Sequence, residues 1–459
     1  MGKISAGMAA ALLCAFVFLA GLSSAASQEQ YVKIGIGYGS TAVSSCTVTA
    51  DGGIMLAQAV SGGMEEVLRL PECGQLTVKM ENRSIVAIDG FGDVAYEAFD
   101  TGTCIASMDA YGIVKFNGKP YRGALCFYPL GNGTMNVVNY IELEDYLYGV
   151  INSEMGHGSP MEALKAQAVA ARSFATGNLG KHKEDGFDFC TGIHCQVYEG
   201  YAGEYENTSR AVDETAGLAL TYGGKPAAGY FFKNSGGHTQ SGTEVWGGDA
   251  PWLVGIADEY SPDYAWSYSV TFHEIRSKLE MAGYYVGNVQ SVSIKGRNSA
   301  GAASALEIKG ASGTATLVGE NVRVVFGSGN VKSMMFHLGG SENTQPSGIL
   351  SNPALSDGKA TVFPGINDGI CMMGADMSIN KKKLSDLYVF SAGSSIKLAA
   401  DKQVETQKLE SVSEGPVVFN GSGYGHGVGM PQDSAIAMAE QGFTFEEILK
   451  YYFKGIKIQ

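Results

Sequence analysis

The sequence predicts an α+β protein: a β-rich N-terminal module, then a mixed α/β core broken by a Gly/Ser-rich insertion. Three observations predict it. Alternating or β-branched runs such as YVKIGIGY, QLTVKM and SIVAIDGF fill the region from Tyr31 to Leu130, separated by Gly and Asn. From about Met135, the run MNVVNYIELEDYLYGVI leads into an Ala-rich helical stretch, EALKAQAVAARSFA. Residues 341–415 then lose that patterning and become rich in Gly, Ser, Asn and Lys. A chain of 459 residues is long enough for two or three units.

The elements follow in order. Lys3 precedes the apolar run MAAALLCAFVFLAGL, which ends in Ser23-Ser24-Ala25-Ala26; this is a signal-peptide pattern over residues 1–26. An uncleaved anchor through residues 8–22 is the alternative, and the apolar run is short for a membrane span. Either way the protein is expected to be exported, at the cell wall or outside the cell. Cleavage would leave seven cysteines, an odd number, and in an exported protein disulfides are the default expectation. The strand-rich stretch comes next. After it, Ser159, Pro160 and Glu162 read as the cap, first position and capping-box acid of the Ala-rich helix. Beyond about Tyr260, HEIRSKLEMAG reads as an amphipathic helix and VQSVSIKG, ALEIKG and NVRVVFG as strands. Weak strand signals recur near YVFSAG and SIKLAA. The C-terminus reads as a strand, PVVFNGSG, a Gly-rich loop and two short helices, with Thr444 and Glu447 as a second capping box.

Charged residues make up only 17% of the chain and the net charge is −14. No Lys/Arg-rich groove is visible, so nucleic acid is not expected as a partner, and Lys381, Lys382 and Lys383 read as a solvated loop.

Four stretches could carry chemistry. Glu154 lies between a strand-like apolar run and the start of the Ala-rich helix, in a loop with Gly149, Gly156 and Gly158 that would let a large ligand approach. A carboxylic acid partly removed from water has a raised pKa and can donate a proton near neutral pH, as cleavage of a glycosidic bond requires. Gln167 and Arg172, on the following helix, could orient a ligand or tune the carboxylate. In FDFCTGIHCQVYEGY, Cys190, His194 and Cys195 fall close together, with His182 upstream; thiolates and imidazoles of this kind bind zinc, while the spacing alone favours a Cys190–Cys195 disulfide. In YFFKNSGGHTQSGTEVWGG, the small residues around Ser235 could floor a groove and Trp246 could stack on a sugar. A Ser235–His238 nucleophile pair is the competing idea, and adjacency in sequence does not establish its geometry. In GSGYGHGVGMPQ, glycines alternate around Tyr424 and His426. No βαβ context supports a dinucleotide loop there, so the backbone is expected to pass close to a ligand or a neighbouring strand.

Together these stretches resemble the SpoIID/LytB family of cell-wall proteins. The resemblance rests on YLYGVINSEM (146–155), EALKAQAVAARSFA (162–175), CTGIHCQVYEGY (190–201), SGGHT with EVWGG (235–248) and GYGHGVGMPQ (423–432), in that order. It implies a SpoIID-like core over 131–340, completed by 416–459, with the β-rich module at 27–130 and an insertion or accessory subdomain at 341–415. It also implies a lytic transglycosylase acting on peptide-stripped peptidoglycan glycan strands, with Glu154 as catalytic acid and base. Gln167, Arg172, Tyr201, Ser235 and His426 are then carried over as residues that orient the glycan. The resemblance brings a structural zinc, held by Cys190, Cys195, His182 and His194, level with the disulfide. The LytB side of the family implies a different role, a non-enzymatic enhancer of a cell-wall amidase, and a glycan-binding wall protein is the third reading. The sequence departs from the family pattern where Pro431-Gln432-Asp433-Ser434 stands for Ser-Gln-Tyr-Gly, where Phe174 stands for Tyr, and where Lys233-Asn234 precedes the SGG motif.

Overall fold

The computed structural model describes residues 30–97, 102–339, 411–413 and 415–459, with short strand segments between 355 and 397. The signal-like residues 1–26, most of 341–415 and the side chain of Cys371 lie outside the described residues. The architecture is α+β, as the sequence predicts, and divides into two units: Met1–Pro262 with Gly427–Gln459, and Asp263–His426. The helices among the described residues are α1 (Leu143–Met155), α2 (Met161–Gly177), α3 (Glu206–Asp213), α4 (Gly242–Trp246), α5 (Phe272–Met281), α6 (Asn321–Phe326), α7 (Gln432–Glu440) and α8 (Phe445–Tyr452).

In the first unit two antiparallel-dominated sheets face a common core. One has seven strands, with Tyr31–Gly37 and Met135–Glu142 side by side near one edge; the other has six, built from the N-terminal hairpins. Val48, Leu76 and Val78 of the second sheet join Leu56, Ile105 and Leu125 of the first in one buried cluster, which continues into α1, α2, α7 and α8. The N-terminal module and the helical core therefore bury their apolar faces together. Cys104 and Cys126, directly opposite on neighbouring strands, form a disulfide.

The strand Met135–Glu142 has seven consecutive buried residues and runs straight into α1. The sequence reads YLYGVI as strand-like, but it is helical. Leu143, Tyr146, Leu147, Val150 and Ile151 are buried at helical spacing, and Glu144 and Asp145 sit in the first turn, where the helix dipole favours anions. Helix α2 is buried almost all round, and its alanines let it pack against α1, α3, α7 and α8. Its expected cap is not used. The Ser159 hydroxyl donates back to the Met155 carbonyl, and Glu162 accepts from the Phe445 N–H and from Lys165, tying α2 to α8. The Thr444–Glu447 capping box of α8 forms as expected.

The second unit has its own core, with Ile275, Leu279, Val292, Leu306, Phe326 and Phe419. A sheet of Gly313–Val318, Ala303–Gly310, Val289–Arg297 and Ser411–Val412 packs with α5 and α6, and Val417–Ser422 is the middle strand of a second sheet. NVRVVFG is not a strand. It forms α6, with Val322, Arg323 and Phe326 buried and Arg323 bonded to Glu320 and to the Val331 carbonyl. These tertiary contacts outweigh the β-preference of its valines. The weak signals near YVFSAG and SIKLAA correspond to a hairpin, Tyr388–Ser391 with Ser394–Lys397. Residues 265–339, read from sequence as part of the core, cluster in this unit with 417–426.

Candidate active site and metal cluster

Glu154 is on the last turn of α1, not in a loop. Gly156, at φ 80°, ends the helix there. The Val197 N–H donates to Glu154 Oε1 at 2.8 Å, and the Gln432 amide reaches Oε2 at 3.5 Å. Burial pushes the carboxyl above its ordinary value of 4.5, and these two neutral donors pull the other way. Glu154 is thus a carboxyl group whose protonated form is favoured and whose charged form still has two donors to meet it.

The segment that supplies Val197 is held against α1 by a close approach. A Cβ on Gly149 would lie 2.6 Å from the Tyr198 ring and 2.8 Å from the Gly200 carbonyl. Gly149 therefore makes room for the chain itself and not for a ligand. The Glu199 N–H donates to the Gly149 carbonyl at 3.1 Å, and the Tyr146 hydroxyl to the buried Gln196 at 3.3 Å.

Immediately before that segment, His182, Cys190, His194 and Cys195 bring one ligand atom each to within 4.8 Å of one another. Cys190 and Cys195 are free thiols, so the disulfide favoured by spacing is not formed. His182 Nε2 and His194 Nδ1 are 3.2 Å apart, and His194 Nδ1 lies 3.6 Å from Cys195 Sγ and 3.8 Å from Cys190 Sγ. A tetrahedral zinc with the usual Zn–N and Zn–S bonds has ligand–ligand edges of about 3.3–3.8 Å. The residues fit the ion. The other nitrogen of His182 lies 3.2 Å from Asp185, the carboxylate partner that orients ligating imidazoles. Burial and the nearby Lys181 lower the His194 pKa, which keeps the ring neutral. Burial beside Cys190 pushes the Cys195 thiol up to about 11, so its thiolate needs a cation.

The other sequence candidates are dispersed. Arg172 is buried in a bidentate pair with Glu144, at 2.7 and 2.5 Å, and also donates to the Leu218 carbonyl. Gln167 has no accessible surface, and neither atom of its amide finds a partner among the described residues. Neither residue can touch a glycan in this conformation. Tyr201 is exposed, with the Arg122 guanidinium 5.2 Å from its ring centre. Ser235 is buried and donates to Asp258 at 2.6 Å, while His238 Nδ1 faces the Thr239 carbonyl, so the two do not form a nucleophile pair. Trp246 is exposed and packs on Tyr230 with ring centres 4.7 Å apart. His426 is the last residue of the second unit. Sequence reasoning missed the Val197 N–H, which has no side-chain signature, and the role of Gln432, which lies far from Glu154 in the chain.

Residues 131–222, which contain Glu154 and the Cys/His cluster, match the family described as SpoIID, stage II sporulation protein. An uncharacterized protein of Brachyspira hyodysenteriae is 29% identical over 382 residues, 83% of this chain and 81% of the relative. The amidase enhancer of Bacillus subtilis is 28% identical over 312 residues, 67% of this chain but only 39% of that protein. Stage II sporulation protein D of Bacillus amyloliquefaciens is 25% identical over 348 residues, 72% of this chain and 78% of the relative. With the motifs in order, residues 131–222 match the SpoIID family, and most of the chain is similar to proteins named stage II sporulation protein D and amidase enhancer.

Proposed function

We propose that the protein is a peptidoglycan lytic transglycosylase that cleaves the MurNAc–GlcNAc bond of peptide-stripped glycan strands. The observation that carries this reading is the environment of Glu154: a half-buried carboxyl met by the neutral donors Val197 and Gln432, with its pKa raised by partial removal from water. Such a group can protonate the glycosidic oxygen as the bond breaks. The resulting carboxylate, met by Val197 and Gln432, then takes the proton from the sugar's own 6-hydroxyl as that oxygen attacks the anomeric carbon. The product is a 1,6-anhydro-MurNAc end, and no water is consumed. One carboxyl group suffices for both steps, whereas hydrolysis of either stereochemistry uses a pair. His182, Cys190, His194 and Cys195 hold a structural zinc in this reading, which fixes the loop leading to Val197; the acid–base chemistry stays with Glu154.

A second reading is favoured by one relative, the protein named amidase enhancer: this chain would then raise the activity of a wall amidase without cutting glycan. Mass spectrometry of stripped and intact glycan strands, incubated with the purified protein or with Glu154→Gln, separates the two. Anhydro ends from the unsubstituted protein only, and from stripped strands only, are expected. Absence of products from both proteins in the presence of zinc, with faster stem-peptide release when an amidase is added, would replace the first reading with the second.

A further inference from the structure

Two departures from the family pattern, far apart in sequence, turn out to be one feature. Lys233 and Asn234 precede the SGG motif, and Asp433 and Ser434 follow Gln432. Lys233 Nζ lies 2.7 Å from Asp433 Oδ1, the Asn234 amide donates to Asp433 Oδ2 at 3.0 Å, and the Asp433 N–H donates to the Lys233 carbonyl at 3.0 Å. The Ser434 hydroxyl donates to Asp258 Oδ2 at 2.7 Å. Asp258 is only 4% exposed, yet no cation pairs with it among the described contacts. Its carboxylate is met by hydroxyls and a backbone N–H instead: Ser235 and Ser434 on Oδ2, Tyr452 on Oδ1 at 2.9 Å, and the Tyr260 N–H at 3.3 Å. One buried acceptor thus ties the SGG segment to α7 and α8. The first turn of α7 is held at Asp433 and at Ser434, and the residue that opens this turn, Gln432, is the one whose amide reaches Glu154.

We propose that Asp258 is a positioning residue for Glu154. Through Ser434, and together with the Lys233–Asn234 grip on Asp433, it fixes the first turn of α7 so that the Gln432 amide stays against the carboxylate. The proposal rests on the reading of Glu154 as the reactive group. Buried carboxylates that accept several hydrogen bonds are costly to disturb, and a side chain held by a rigid neighbour retains an orientation that a free one loses. The titratable groups facing this corner are Tyr146 of α1, pushed up by burial and influenced by Glu154, Cys190 and Cys195, and Tyr451 and Tyr452 of α8, pushed up by burial and by Asp258. Lys233 and Asp433 lie at the rim.

The test is the ionisation of Glu154, followed by carboxyl NMR on the full chain, with Glu154→Gln identifying its signal. Gln432→Met removes the amide donor and provides the reference: without it the anion is less well met, so the midpoint moves up. Ser434→Ala, Asp433→Asn and Asp258→Asn are expected to move it the same way. On stripped strands, kcat is expected to fall roughly tenfold, the effect of about 1.4 kcal/mol, with KM little changed. If Asp258→Asn does not fold, the two α7 variants carry the test. A midpoint that moves in Gln432→Met but stays put in folded Ser434→Ala and Asp433→Asn makes Asp258 a merely structural residue and overturns the proposal. So does a midpoint unmoved in Gln432→Met. If the unsubstituted protein releases no anhydro ends, the transglycosylase reading fails, while the titrations still decide whether Asp258 positions Glu154.

Discussion

Glu154 is stabilised as an acid by its surroundings, and this has a consequence for folding. Its pKa is raised above the ordinary 4.5, so above that pH the folded state holds a proton that the unfolded chain releases, and stability falls as pH rises through the raised value. Glu154→Gln is therefore expected to unfold at a higher temperature than the unsubstituted protein at pH 7, with the gap closing as the pH drops below about 4.5; calorimetry across that range checks it. Gln167 makes a related prediction. A buried amide without partners costs on the order of 1–3 kcal/mol, so Gln167→Met is expected to stabilise the fold by about 1 kcal/mol in denaturant titration. At this scale the sequence singled out Glu154 from its neighbours, and its surroundings raise the pKa of that carboxyl, but the sequence could not show how deep Gln167 and Arg172 lie. A polar residue on an Ala-rich helix looks functional from sequence whether it lines a groove or pairs inward, as Arg172 does with Glu144.

Among the elements, the segment from His182 to Gly200 matters most, because it has little regular structure and yet supplies a hydrogen bond to the acid. It is held by the Gly149 approach at one end and by the Cys/His cluster at the other. With zinc at this cluster, as proposed, a chelator is expected to release one zinc per chain by mass spectrometry and lower the unfolding temperature; it is also expected to loosen the Val197 contact, so amide exchange at Val197 should rise before the helices are affected. The sequence showed the thiols and imidazoles but not their geometry, since a spacing of five residues suits a disulfide as well as two corners of a tetrahedron. Helix α1 was misread for a different reason. Its apolar residues continue without a break from a buried strand, and nothing in the residue pattern marks where the period changes at Glu142.

For the whole molecule, the sequence reads as a β-rich module followed by a mixed core, because strands and helices occupy successive stretches. Within the first unit the two stretches share a core, with Tyr31–Gly37 lying between Met135–Glu142 and Phe189–Cys190 in the seven-stranded sheet. Such long-range pairing leaves no local trace in composition. A chain beginning at residue 131 is therefore expected to lose cooperative unfolding, by calorimetry, because both the strand that carries α1 and the strand that carries Cys190 would lose their partner. This arrangement also bears on ancestry. Two strands within the stretch by which kinship is recognised, 131–222, take Tyr31–Gly37, from outside it, as their common partner. Selection on Glu154 and the Cys/His cluster of this chain therefore extends to a strand outside the matched region, whose hold is by backbone pairing and so leaves its side chains free to vary.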